Sequence, residues 1–239
     1  MTPDAQDPPP QQDTSGPTPA QRRRDRERAA ARKTILSAAL DVARRDGWDA
    51  VTMRRLAEEI EYSANFAYRY FSGRDDILHT LVRDAFARLR EAMATASKQT
   101  GPTGPDSGSG STTGMTGAEE AAAAVRRAGH AYLDFALTNP DLYQLMYGLG
   151  GVRVPATDAW AEGQAIGDLM TELLAAAGDT QPEQHCLQLW ATAHGLIALL
   201  VVDRVDVDSH RLHALFEDAL NDGLTRVLSG PEQPGHPPT

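Results

Sequence analysis

The chain has 239 residues, with 23 Lys and Arg set against 33 Asp and Glu, and a formal net charge of −10 at pH 7. Its 41% hydrophobic and 23% charged content is that of an ordinary globular chain, long enough for one large or two small domains. The longest apolar run, Leu196 to Val202, is far short of the roughly 20 residues a bilayer requires, and the lone Cys186 excludes a disulfide framework or a Cys-rich zinc site.

Residues 1–20 are rich in Pro and Gln, offer almost nothing apolar to bury, and are expected to form a disordered tail without signal-peptide pattern. A cytoplasmic protein is the economical expectation. From Gln21 to Arg32 the chain is Arg-rich, and Ile35, Ala39, Leu40 and Ala43 then recur at helical spacing up to the stop signal Gly47. The Arg-rich stretch has two readings. It extends the first helix into solvent, or it is an arm that follows the DNA backbone or enters an A·T-rich minor groove.

Thr52 stands at the N-cap of a second helix with Leu56, Ala57 and Ile60 on one face, and Ser63 is a capping candidate for the short segment ANFAYRYF. Ser72-Gly-Arg-Asp75 predicts a capping box, with Asp75 reaching back to the Ser72 amide. The helix it opens carries Ile77, Leu78, Leu81, Ala85, Leu89 and Met93 and runs to about Lys98. Residues 99–117 read as a flexible Gly/Ser/Thr/Pro loop.

Further helices are expected over 118–138, 141–147, 157–177, 182–204 and 208–229, with a loop from Gly148 to Pro155 and a disordered tail over 231–239. No alternating strand pattern occurs. The expected fold is all-α: a three-helix helix-turn-helix unit with its basic arm over 21–75, then a second helical domain over 76–230, which the resemblance described below makes the regulatory and dimerisation domain. Charge follows this division. Residues 1–20 carry −3, residues 21–98 carry 17 cations against 12 anions, and residues 99–239 carry 6 against 18. A basic nucleic-acid module joined to an acidic one produces such asymmetry, so the whole-chain charge does not exclude DNA.

The run from Ile35 to Leu81 resembles the DNA-binding domain of the tetracycline-repressor (TetR) family. The residues that carry the likeness are IL-x-AAL, Asp46-Gly47-Trp48, Val51-Thr52-Met53, Leu56-Ala57, Ser63 and Tyr68-Arg69-Tyr70-Phe71-x-x-Arg74-Asp75-x-Ile77-Leu78. A looser likeness to the regulatory domains of one subgroup lies in Asn139-Pro-Asp-Leu-Tyr143-x-Leu-Met146 and Leu189-Trp190-x-x-x-His194-Gly195. The resemblance implies a homodimer on a palindromic operator, an effector-binding helical domain, and repression.

By the same resemblance, Thr52 brings a helix start to a phosphate, Arg74 is placed for a second phosphate clamp, and Arg54 and Arg55 either reach phosphate or face solvent. Ser63 opens the recognition helix. Ala64, Asn65 and Phe66 are the base-reading candidates: Asn65 can pair bidentately with adenine, and the other two can touch a thymine methyl. Tyr68 and Arg69 are contacts to phosphate or base edges. Three departures stand out. Glu61-Tyr62 replaces the family's common Gly-Val, Ala-Asn-Phe replaces a basic, small, Thr sequence, and Ala67 replaces a larger aliphatic residue, which leaves room for Phe66 to turn inward.

In the regulatory half, Tyr132, Tyr143, Met146, Tyr147, Trp160 and Trp190 are the candidate lining of a small-molecule pocket, although aromatic and Met residues at helical spacing are also ordinary core. Trp190, His194, Gly195, Ile197, Leu212, Phe216 and Leu224 are expected to form the dimer surface from the last two helices. His130 and Asp134 form an (i, i+4) pair that reads as helix stabilisation, and Cys186 reads as inert packing. No phosphate-binding Gly loop, nucleophile elbow, Cys/His pair or metal spacing is present, so neither an enzyme nor a cofactor is expected. The alternative kept open is a DNA-binding regulator that has no small ligand and answers to a partner protein.

Overall fold

The first residue described by the computed structural model, which covers residues 18–99, 116–151 and 160–229, is a helix cap. Thr18 Oγ1 accepts from the Gln21 amide at 3.2 Å while Gln21 Oε1 accepts from the Thr18 amide at 2.7 Å. With Pro19 at the first helical position, this reciprocal pair opens α1, Pro19–Asp46. Residues 18–20, read as tail from their composition, therefore belong to the helix start. The expectations for residues 1–17, 100–115, 152–155 and 231–239 lie outside the described residues. The Arg-rich stretch continues α1 as helix, exposed through Ala30, and burial begins only at Ile35.

Three short elements follow. A single 3₁₀ turn, Trp48–Ala50, leads to α2, Met53–Glu59, capped by Thr52 Oγ1 accepting from the Arg55 amide at 3.2 Å. After the turn comes α3, Ala64–Tyr68, where Ser63 holds the cap position without a side-chain capping bond. Then α4, Arg74–Ser97, starts one residue later than expected, with Gly73 as its cap. That shift brings Asp76, not Asp75, within reach of Ser72: its carboxylate accepts from the Ser72 amide at 2.8 Å and from Ser72 Oγ at 3.3 Å.

Five more helices complete the described chain: α5 Gly117–Thr138, α6 Pro140–Tyr147, α7 Trp160–Ala176, α8 Pro182–Val201 and α9 Ser209–Ser229. Thr116 and Glu119 form a capping box at the start of α5. The last carbonyls of α4 meet Arg127 of α5, whose Nε donates to Ala96 at 3.1 Å and whose Nη2 donates to Ser97 at 3.0 Å. Among the described residues there is no strand, and no helix is long and apolar enough to cross a membrane.

One hydrophobic core runs through the whole assembly, from Ile35, Leu56 and Phe71 beside the short helices to Tyr143, Leu174, Ile197 and Phe216 in the body. Glycine permits two close approaches. A Cβ on Gly129 would stand 2.9 Å from Leu220, and one on Gly223 would stand 2.4 Å from Leu189, so α9 seats closely on α5 and α8. His130 and Asp134 do not pair with each other. His130 Nε2 meets Glu217 at 2.5 Å and Asp134 meets His213 at 3.5 Å, so both fasten α5 to α9.

The turn between α2 and α3 forces Glu61 to φ 58°, the left-handed region where a Cβ is penalised. Glu61→Gly is expected to raise the urea midpoint. The gain should be about 0.5–1 kcal/mol, because glycine's greater freedom in the unfolded chain offsets part of the roughly 1–2 kcal/mol penalty. Glu61→Val should lower the midpoint, since a β-branched residue fits that conformation worst.

Candidate functional site

The exposed face of α2 and α3 is built from few side chains. Asn65 and Arg69 are exposed, and Tyr68 is 55% exposed. Phe66, expected to read bases, is instead half-buried. Its ring stacks on Tyr62 at 4.1 Å between centroids and tilts against Tyr70 at 5.1 Å, over the fully buried Ala67. Ala64 opens α3, and its side chain lies outside the described residues.

The arginines divide. Arg54 projects with its side chain 88% exposed and pairs with Glu58, at 2.9 Å, in a contact that water screens. Arg55 is engaged by Asp46 at 3.3 Å, with Glu58 and Glu59 close by, and Arg45 pairs with Glu59 at 2.9 Å. The hydrogen bond from Arg45 holds the Glu59 carboxyl below its ordinary range. Arg55 thus ties α2 to the end of α1. Arg74 is also turned inward: its Nε donates to the Val51 carbonyl at 2.9 Å and its Nη2 to the Trp48 carbonyl at 3.0 Å. Its planar fork closes the segment between α1 and α2, so the position read as a phosphate clamp is a backbone clamp.

In the body, α4, α5, α7, α8 and α9 enclose a cavity of about 560 Å³. Phe86 and Met93 of α4 face Ile166 and Met170 of α7, with Cys186, Leu189 and Trp190 on α8 and Phe216 and Leu220 on α9. Tyr132 of α5 and Tyr147 of α6 supply hydroxyls, and Gln164, Asp168, Thr171 and Glu183 are the other polar lining residues. Tyr143 and Met146 are buried behind this wall and do not line it. Trp160 begins α7, and its side chain lies outside the described residues. The Cys186 thiol is pushed up by burial, which disfavours the reactive thiolate.

Behind the cavity runs a polar chain. The Tyr132 hydroxyl is 3.3 Å from that of Tyr147 and 2.8 Å from that of Tyr143, and the Tyr143 hydroxyl is 2.7 Å from His194 Nδ1. Burial holds all three phenols neutral, well above their ordinary range, and pushes the His194 imidazole down. The far end of α6 is fixed differently. Trp48 Nε1 donates to the Asp141 carbonyl at 3.3 Å, and Arg44 pairs with the Asp141 carboxylate at 3.5 Å. Gln144, between the two ends, donates to the Val201 carbonyl of α8 at 3.0 Å. Helix α6 is thereby bonded to both the short-helix unit and the cavity wall.

Four of the residues expected at a dimer surface are instead internal. Ile197, Leu212, Phe216 and Leu224 are at most 2% exposed, because the apolar stripes of α8 and α9 face the protomer's own core. Trp190 is 38% exposed, and Gly195 has no heavy atom within 4 Å of a built Cβ. His194 is committed to Tyr143. The apolar side chains left outside on these helices are Leu187, Leu199 and Leu215.

Residues 35–81 match the family of bacterial regulatory proteins of the tetR family, and residues 125–222 match the tetracyclin repressor-like C-terminal domain, together more than half of the chain. The chain belongs to the tetracycline-repressor family. It is thus a DNA-binding transcriptional regulator rather than an enzyme. Comparison with curated protein sequences gave no match. Solved structures share the fold. A protein of unknown function from Rhodococcus sp. RHA1 is 24% identical, with TM-score 0.64 over 82% of this chain and 94% of that one. A TetR-like transcriptional regulator from the same source is 19% identical, with TM-score 0.59 over 82% and 97%. The fatty acid degradation regulator FadR from Bacillus halodurans is 14% identical, with TM-score 0.61 over 81% and 94%.

In this TetR-family chain, sequence reasoning found the cavity's tyrosines and Trp190 but missed its α4, α7 and α9 walls. A signal existed: Gly129, Gly163 and Gly167 punctuate α5 and α7, and all three line the cavity. The Arg74 clamp predicts an unusual phenotype for a presumed DNA contact. Arg74→Ala should destabilise the protein by about 1.5–3 kcal/mol, as loss of charge-assisted bonds to two carbonyls requires. Arg74→Lys should recover little, because an ammonium lacks the fork. Urea denaturation measures both. Wild-type stability in Arg74→Ala would show that the clamp contributes nothing.

Proposed function

We propose that the protein is a cytoplasmic repressor that binds a palindromic operator as a homodimer and leaves it when a small-molecule effector fills the cavity. The observation that carries this reading is the double attachment of α6. One end carries Tyr147 at the cavity and Tyr143 in the polar chain behind it, and the other meets Trp48 and Arg44 of the helix-turn-helix unit. An effector that favours a different position of this wall shifts the population toward a head geometry that no longer fits DNA.

On the DNA side, Asn65 is the proposed base reader, with Ala64 beside it at the open end of α3. Tyr68 and Arg69 follow as contacts to phosphate or base edges. Thr52, Arg54 and Ser63 meet phosphates, where helix starts favour negative charge. The proposed dimer contact is a ridge along α8, Leu187, Ala191, Gly195 and Leu199 at intervals of four residues, flanked by Trp190 and by Leu215 of α9. Such i±4 ridges pack against a second helix, and a two-fold contact sets two reading helices one DNA turn apart, roughly 34–36 Å.

Footprinting upstream of the protein's own gene and of neighbouring genes tests the reading, with symmetric protection expected from a species that sediments as a dimer. Asn65→Ala should relax preference at one or two operator positions at a cost of about 1–3 kcal/mol. Arg69→Ala, acting as a phosphate contact, should weaken all sequences alike and lower the salt slope by about one unit. Wild-type binding by both variants would defeat this docking.

A further inference from the structure

The cavity's chemistry is one-sided. Among the described residues that line it there is no Lys or Arg, whereas α7 supplies Asp168 and α8 supplies Glu183, both exposed at its rim. Glu162, which precedes the lining residue Gly163, has its Oε2 buried with no hydrogen-bond partner among the described residues. An incoming carboxylate or phosphate would meet like charge at the rim and no cation inside.

The walls point the same way. Trp190, Tyr147, Tyr132 and Phe86 contribute aromatic surface to one cavity, and Tyr147 lies between Phe86, edge-on at 5.7 Å, and Trp190, at 6.3 Å. Aromatic faces attract cations, most strongly where water is excluded. The phenols are held neutral, so none offers a phenolate, and their hydroxyls can meet a polar substituent of the ligand.

We propose that this cavity takes a lipophilic organic cation, an apolar body bearing an ammonium- or phosphonium-type charge, and discriminates against lipophilic anions. The proposal rests on the reading of the cavity as the effector site and specifies what that site accepts. Asp168 and Glu183 draw the cation to the rim, and the aromatic walls hold it once desolvated.

The test uses two probes of nearly identical shape and opposite charge, tetraphenylphosphonium and tetraphenylborate, titrated calorimetrically into the full-length protein. The phosphonium is expected to bind at least about tenfold more tightly, the size of effect that desolvated cation–π contacts and nearby carboxylates supply. In the Asp168→Asn, Glu183→Gln double variant the preference should shrink to within about threefold, while thermal unfolding confirms the fold is intact. Equal or tighter borate binding, a preference unchanged in the double variant, or binding of neither probe overturns the proposal.

Operator release, measured in the same samples, separates this proposal from the reading beneath it. Preferential phosphonium binding without release supports the cation site and refutes effector control through it. Release by the borate alone supports effector control and refutes the cation site.

Discussion

Trp48 and Asp141 are 93 positions apart in sequence and share one hydrogen bond, from indole to backbone carbonyl at 3.3 Å. The proposed coupling between the two halves of the molecule runs through that contact and through the Arg44–Asp141 pair beside it. The carbonyl acceptor belongs to the first turn of an eight-residue helix, α6, whose last residue, Tyr147, lines the cavity. A helix this short has little stability of its own and takes its position from its attachments. Trp48 and Tyr143, the side chains that bond at its two ends, are both buried, and the proposed effector control has displacement at one end absorbed at the other.

The clamp at Arg74 makes this coupling specific. By holding the carbonyls of Trp48 and Val51, it fixes the turn that carries the indole and leads directly into the cap of α2. In the proposed mechanism, displacement of Trp48 is passed through this turn to the cap of α2. The negative charge of the body has a matching role. Only the segment from 21 to 98 is net basic, so the acidic remainder repels DNA wherever the reading face is turned away. A whole-chain charge of −10 thus constrains orientation on the duplex, not the ability to bind it.

Much of this was legible in the residues. The helices follow apolar periodicity and capping, and Thr52 caps α2 as its spacing implies. Where a side chain had two available partners, sequence alone misjudged the choice. Arg55 and Arg74 look like surface cations, yet one is engaged by Asp46 and neighbouring carboxylates and the other by backbone carbonyls of the segment between α1 and α2. Phe66 is half-buried between Tyr62 and Tyr70, a ring stacking that periodicity does not encode. The stripes of α8 and α9 illustrate a related ambiguity: an apolar face must be covered, but its pattern does not say whether by this chain or a second copy. Here Ile197 and Phe216 are covered by their own protomer, and the Leu187-to-Leu199 ridge is left outside.

The central claim is that occupancy of the cavity reaches the DNA-reading unit through α6 and its hold on Trp48. Trp48→Phe removes the indole donor, keeps an aromatic ring in the core, and leaves the backbone carbonyl used by Arg74 in place. The decisive measurement is the operator affinity of this variant and of the wild type, each with and without a saturating cavity ligand. The account predicts that both proteins bind ligand and operator separately. The wild type should lose operator affinity by a coupling of about 1–3 kcal/mol, and most of that loss should vanish in Trp48→Phe. An undiminished ligand-induced loss in the variant would contradict the account.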